Sequence, residues 1–193
     1  MRTLSVPTAC AGLKNAQAAH PSGPWGELDR PSSIQQREVL IKNQGCVCAW
    51  CESKITLNTS HIDHIRARNR KPNLTFEVSN LVASCNSPRT CGHRKQSAAL
   101  PDWVHPYETS GLEDCFTYEP DGEVRPDPGL TPVQTAEAGR ALNEILNLNE
   151  PTLKERRETR MAQINSYAGQ GFSEEQIASF FPGFPSLIHK SLS

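Results

Sequence analysis

The sequence predicts an α+β fold from three observations. Helix signals frame the chain on both sides, paired cysteines bracket a turn-rich middle, and that middle holds short apolar runs of strand length. At 193 residues the chain is long enough for one full core, or one compact domain with a helical appendage, but not for two large domains. A hydrophobic share of 36%, 15 prolines and a mean hydropathy of -0.54 describe a soluble, loop-rich protein with a modest core. Signal peptides carry an opening apolar run of roughly 7–15 residues, and membrane helices need about 18. MRTLSVPTACAGLK has no such run and none follows, so the expected location is the cytosol.

Residues 1–30, with Pro7, Pro21, Gly23, Pro24 and Gly26, read as an extended N-terminal segment. PSSIQQREVLIKNQG then predicts a helix. Ser33 and Gln36 spell a capping box, Ile34, Leu40 and Ile41 supply an apolar side, and Gly45 supplies the stop. Within residues 31–100, TFEV and NLVAS read as short strands and GHRKQSAAL as a helix. Residues 101–130 are loop-like, with a Pro-Asp-Gly turn in YEPDGEV. Thr131 as N-cap and Pro132 at the first position begin another helix, with Ala138, Ala141, Leu142 and Ile145 on one face. A further helix follows Pro151, burying Leu153, Met161, Ile164 and Tyr167, and a short one starts at Ser173 with Gln176.

The net charge of -1 hides two unlike halves. Residues 1–100 carry 13 basic and 6 acidic side chains, whereas residues 101–193 carry 7 and 15. The basic half suits a phosphate backbone, and the acidic, mainly helical half of residues 101–193 suits a protein partner.

Seven cysteines in a reducing compartment are better read as metal ligands than as disulfides. In CAWC, Cys48 and Cys51 have the spacing at which one tight turn brings two thiolates to a tetrahedral metal. Cys85 and Cys91, in CNSPRTC, form a looser second pair. Together the four predict a structural zinc site clamping residues 52–84, a stretch too polar to build a core of its own. A redox dithiol at Cys48 and Cys51 is the competing reading. Cys46 could compete as a ligand, but is read with Cys10 and Cys115 as a small buried residue.

Between the pairs lies HIDHIRARNRKPN. Phosphodiester hydrolysis needs a nucleophilic water, a base of near-neutral pKa and a cation to offset charge on the phosphate. Asp63 suits a hard cation, and His64 beside it is the candidate base. Asn80 could orient that base, and His93 could complete the metal site from a helix. Ser60 with Asp63 also spells a capping box, so spacing alone leaves HIDH open between helix and strand. Seven basic residues, Arg66, Arg68, Arg70, Lys71, Arg89, Arg94 and Lys95, face only Glu77 between positions 66 and 95. Next to a hydrolytic site such a run reads as a substrate grip. It would make binding fall with salt at a slope of roughly -0.9 per contact on duplex DNA.

KNQGCVCAWCE, HIDHIRAR, SNLVASCN and CGHRK, in that order, resemble the HNH nucleases of the ββα-metal class, and within them the PtuB subunit of Septu anti-phage systems and its retron-associated relatives. The match is densest over residues 36–96 and extends weakly through FTYEPDGEV and LNLNEPTLKERR. The resemblance implies a ββα-metal core over residues 31–100, braced by zinc on Cys48, Cys51, Cys85 and Cys91. It implies catalytic roles for His64 as base, Asp63 and His93 as ligands of a catalytic magnesium or manganese, and Asn80 as the central N. HIDH is then a strand, with His61 as an auxiliary. Arg66, Arg68, Arg70, Lys71, Arg94 and Lys95 would bind substrate, DNA being favoured over a structured RNA such as a tRNA. Implied partners are a PtuA-like ATPase and, in retron versions, a reverse transcriptase with its single-stranded DNA. The sequence departs from the pattern in two places: five residues separate Cys85 from Cys91, and RARNRKP delays the proline after HIDHI to Pro72. A zinc-braced module that binds nucleic acid or protein without cutting is the alternative.

Overall fold

A computed structural model describes residues 1–192. Helices α1 (Ala11–Ala19) and α2 (Arg30–Asn43) lead into an antiparallel pair, β1 (Ser60–His64) and β2 (Leu81–Cys85), followed by the short helix α3 (Cys91–Lys95). A second small hairpin, β3 (Phe116–Tyr118) with β4 (Val124–Pro126), precedes four helices: α4 (Pro132–Arg140), α5 (Pro151–Gly169), α6 (Glu174–Phe180) and α7 (Pro185–Leu192). None of the described helices is both long and apolar enough to cross a membrane.

The sheet that positions the site is only two strands wide, in the register Ser60↔Cys85 through His64↔Leu81. Such a pair is marginal unless its edges and faces are covered. One edge is closed by a side chain from the end of α2. Gln44 Oε1 accepts from the Ala83 amide at 2.7 Å while Gln44 Nε2 donates to the Ala83 carbonyl at 2.9 Å, so a buried glutamine stands in for a third strand. Leu40, Ile41, Leu81, Val82 and Ala83 are buried together in the main core. The same core takes in Met1, Leu4, Leu13 and Leu28 from the first thirty residues and Leu142, Leu146 and Leu153 from the C-terminal half. A smaller cluster, Ile164, Ile177, Phe184, Leu187 and Ile188, packs α5, α6 and α7 against one another.

Several expected elements differ. The N-terminal segment is not extended throughout: Cys10 Sγ accepts from the Leu13 amide and caps α1. The second helix starts at Arg30, capped by Asp29 rather than Ser33, because the Asp29 carboxylate accepts from both the amide and the hydroxyl of Ser32. TFEV is not a strand. Residues 72–74 and 78–80 form single 3-10 turns, and Phe76 is a buried plug stacked on Trp25. GHRKQSAAL is helical only as far as Lys95, since Gln96 turns to φ 46. Cys46, expected to be buried, is exposed. By contrast, HIDH is a strand, and the capping boxes at Thr131 with Gln134 and Ser173 with Gln176 both form.

Candidate active site and the neighbouring cysteine cluster

Strand alternation puts His61 and Asp63 on one face of β1 and His64 on the other. α3 brings Gly92 and His93 onto the first face. A Cβ on Gly92 would lie 2.7 Å from His61 Nε2 and 2.9 Å from Asp63 Cγ, so glycine at this position leaves a cradle into which an imidazole and a carboxylate converge. The His93 ring lies alongside, its centroid 4.2 Å from that of His61. These three line a cleft of 490 Å³ together with His64 and Arg68.

The orientation of each group has a visible cause. His61 Nδ1 lies 3.1 Å from Asn86 Oδ1. An amide oxygen only accepts, so Nδ1 carries the proton and Nε2 turns a lone pair toward the cradle. Burial lowers the pKa of His61, as does the His93 ring, although Asn86 and Asp63 pull the other way. Asp63 is buried, with each oxygen engaged: Trp50 Nε1 donates to Oδ2 at 2.9 Å and Lys95 Nζ lies 3.2 Å from Oδ1. A buried carboxylate is tolerable only when paired in this way.

His64 donates Nε2–H to the Thr75 carbonyl at 2.9 Å, which leaves Nδ1 as the basic nitrogen. Trp25 packs edge-to-face on the ring at 4.8 Å. Burial lowers its pKa to about 4 despite the Thr75 hydrogen bond, with Arg68 and Lys95 adding to the shift, so the ring is neutral at pH 7 but a weaker base than the near-neutral one expected from the sequence. The carbonyl that fixes its tautomer belongs to Thr75, not to Asn80. Asn80 instead accepts from the Arg66 amide at 2.8 Å and donates to the carbonyls of Arg66 and Leu74, both at 3.0 Å, pinning the loop that carries Thr75.

The basic run divides. Arg68 borders the cleft, and Arg94, next in sequence to His93, is exposed but does not line it. Arg66 turns to Glu108 at 2.9 Å, and with Arg70 and Lys71 lines a separate cavity of 220 Å³. Lys95, expected among the substrate-facing cations, is 1% exposed, its ammonium held by Asp63 and the His64 carbonyl at 2.8 Å. Arg89 pairs with Glu150 at 2.7 Å.

Behind the cleft, the sulfurs of Cys48, Cys51, Cys85 and Cys91 all lie within 4.8 Å of one another, and Cys51 and Cys85 stand 3.9 Å apart. Four sulfurs at about 2.3 Å from one zinc would be separated by roughly 3.8 Å, so the cluster fits a closed tetrahedral site. The stretched spacing to Cys91 is absorbed by a left-handed φ of 57 at that residue, whose amide donates to the Leu146 carbonyl. Burial pushes the Cys91 thiol well up; the hydrogen bond with Cys48 lowers that of Cys51, whereas Cys85, pushed up by Cys48, is brought down by Cys51 and Cys91. The donor chemistry suits zinc, which stabilises thiolates that burial alone would protonate.

No family model matches the chain. Among curated proteins it is similar to one from Vibrio cholerae serotype O1 biovar El Tor described as "Retron Vc95 putative HNH endonuclease", with 28% identity over 135 residues. That alignment covers 66% of this chain and 64% of the relative, so the chain spans somewhat less than two thirds of the relative's length.

Proposed function

We propose that the chain is a metal-dependent HNH-type nuclease that hydrolyses phosphodiester bonds, with residues 31–100 as its catalytic core. The observation that carries this reading is the meeting of His61 and Asp63 at the Gly92 cradle, with the His93 ring 4.2 Å from that of His61, beside a neutral, tautomer-fixed His64. The likeness to a relative described as an HNH endonuclease supports it independently. The retron in that relative's description supports a retron-associated role; the finer reading, an effector subunit of an anti-phage complex of retron or Septu type with residues 101–193 meeting an ATPase partner, rests on the sequence resemblance.

Asp63 and His93, with His61 as a third donor, would hold a divalent cation, manganese or magnesium, and imidazole donors favour the former. When bound, it would supply the charge that offsets the scissile phosphate and the leaving oxygen. His64 Nδ1 takes the proton of the attacking water, and the resulting imidazolium stays anchored through Nε2–H on Thr75. Asn80 acts through the loop and is a positioning residue. Arg68, which borders the cleft, would meet a phosphate oxygen.

The test compares zinc-loaded protein with its His64→Ala variant on DNA and RNA in the presence of manganese. A loss of roughly 100-fold or more in cleavage rate is expected. Equal cleavage by the two proteins removes His64 from the mechanism. A binding module that does not cut is the second reading, and Lys95 favours it by neutralising Asp63 with no metal ion needed. It requires that manganese leave the His61 and His93 rings unperturbed by NMR.

A further inference from the structure

The C-terminal half is acidic as a whole, yet it concentrates its cations on one element. Four of its seven basic residues, Lys154, Arg156, Arg157 and Arg160, lie on α5, against two acidic ones, Glu155 and Glu158. Arg157 is spent on structure, donating to the carbonyls of Gly122 and Leu148. Thr152, Arg156, Arg160 and Gln163 recur at helical spacing and share one side. That side forms one wall of a groove; Ser53 and Lys54, just past the cysteine knuckle, form the other.

The groove consists of two adjoining depressions of 480 and 610 Å³ that share Ser53, Lys54, Thr152 and Arg156. Its near end reaches Asn86, whose side chain accepts from His61, so the groove ends one side chain from the catalytic cleft. Its far end holds Phe180, 50% exposed, and Arg160, whose guanidinium lies 4.4 Å above the Phe181 ring. Arg160 Nε and Nη1 are buried with no hydrogen-bond partner among the described residues, which leaves two donors without an acceptor. Neither Lys54 nor Arg156 enters an ion pair with a described residue. Of the carboxylates along the groove, Glu150 is neutralised by Arg89, leaving Glu155 against three unpaired cations.

Planar guanidinium donors suit phosphate oxygens, and an exposed ring at the end of a cationic groove offers a face on which an unpaired base can stack. We propose that this groove carries the phosphodiester backbone of a single-stranded segment on one side of the scissile bond. Lys54, Arg156 and Arg160 are its phosphate contacts, and Phe180 stacks a base. The proposal rests on the nuclease reading and extends it to a half of the chain expected to avoid nucleic acid.

Binding, measured apart from cleavage, tests it. In the zinc-loaded His64→Ala protein, the anisotropy of labelled single-stranded DNA and RNA is followed across a salt series. Arg156→Gln with Arg160→Gln should weaken binding roughly tenfold and reduce the salt slope by about 1.4, two contacts of about 0.7 each. Phe180→Ala should weaken binding and leave the slope unchanged. Should loss of the Arg160 contact with Phe181 unsettle the double variant, the exposed Arg156→Gln alone should still lower the slope by about 0.7. Unchanged affinity and slope in that variant overturn the track, as does failure to bind either strand. If the unsubstituted chain cuts while Arg156→Gln binds normally, the track falls and the nuclease reading stands. If Arg156→Gln weakens binding in a chain that cuts nothing, the groove binds a single strand as part of a non-cutting module, and both the nuclease reading and the place of the groove beside a scissile bond fall.

Discussion

Trp50 joins the cysteine cluster to the cleft: its ring is fully buried between Cys48 and Cys51, and its Nε1–H ends on Asp63 Oδ2. With Lys95 on the other oxygen, the carboxylate is held in one orientation toward the Gly92 cradle. Trp50→Phe keeps most of the packing and deletes that donor. Manganese affinity, read by titration calorimetry, should fall about 10–100-fold, while thermal unfolding should register a loss of only about 1–3 kcal/mol. Undiminished affinity would show that Asp63 is positioned without Trp50. At this scale residue type and spacing nominate Asp63, His64 and His93 as candidates, because imidazoles and carboxylates carry their chemistry with them. They cannot disclose Thr75, which acts through a carbonyl every residue possesses, or Trp50, whose N–H reaches Asp63 only once the knuckle folds. Lys95 shows the opposite failure: a lysine in a basic run is indistinguishable from its exposed neighbours until folding buries it.

The cysteine cluster works between elements, since Cys48 and Cys51 lie in the knuckle, Cys85 ends β2 and Cys91 opens α3. It therefore fixes α3, and His93 with it, against the hairpin. We predict one tightly bound zinc per chain, measured by elemental analysis. Its removal by a chelator with a thiol reagent should unfold residues 46–95, since structural zinc contributes about 10–16 kcal/mol in small folds. Cys91→Ser should lose zinc and melt much earlier; full zinc content with an unchanged melt would exclude Cys91 from the ligand set. Capping chemistry was readable at this scale where one signal stood alone, as at Thr131 and Ser173. Where Asp29 and Ser33 competed, the carboxylate that also holds the Ser32 hydroxyl captured the helix start. TFEV has the composition of a strand, but Asn80 draws the Arg66 and Leu74 backbones together, and no strand among the described residues pairs with the loop.

At the scale of the whole molecule, Glu52 ties segments far apart in sequence. Its buried carboxylate accepts from the Ser186 amide at 2.8 Å and the Ser186 hydroxyl at 2.6 Å, and the Met1 amino group lies 3.0 Å away. Its carbonyl accepts from the Phe184 amide, so the residue after the knuckle clasps the start of α7. The half-chain charge balance reveals none of this, because a buried glutamate counts there like an exposed one. That same balance marks α5 as part of an acidic half, although its cations line the groove. Burial alone would raise the Glu52 pKa, but the amino group and the Ser186 donors outweigh it and hold the group below the ordinary carboxylate value. A depressed folded-state pKa means that the unfolded chain binds the proton more readily. The clasp therefore stabilises fully above the unfolded value, near 4.5, and is lost as pH falls through the lower folded one. Ser186→Ala deletes the hydroxyl donor from the charged carboxylate, which costs about 1.5–3 kcal/mol at neutral pH, and it brings the folded pKa closer to the unfolded one. Melting curves recorded from pH 7 down to pH 3 should show the variant less stable at neutral pH and converging on the parent as Glu52 protonates in both. A deficit that stays constant across the acid range would mean that the serine contributes packing alone and that the clasp is not electrostatic.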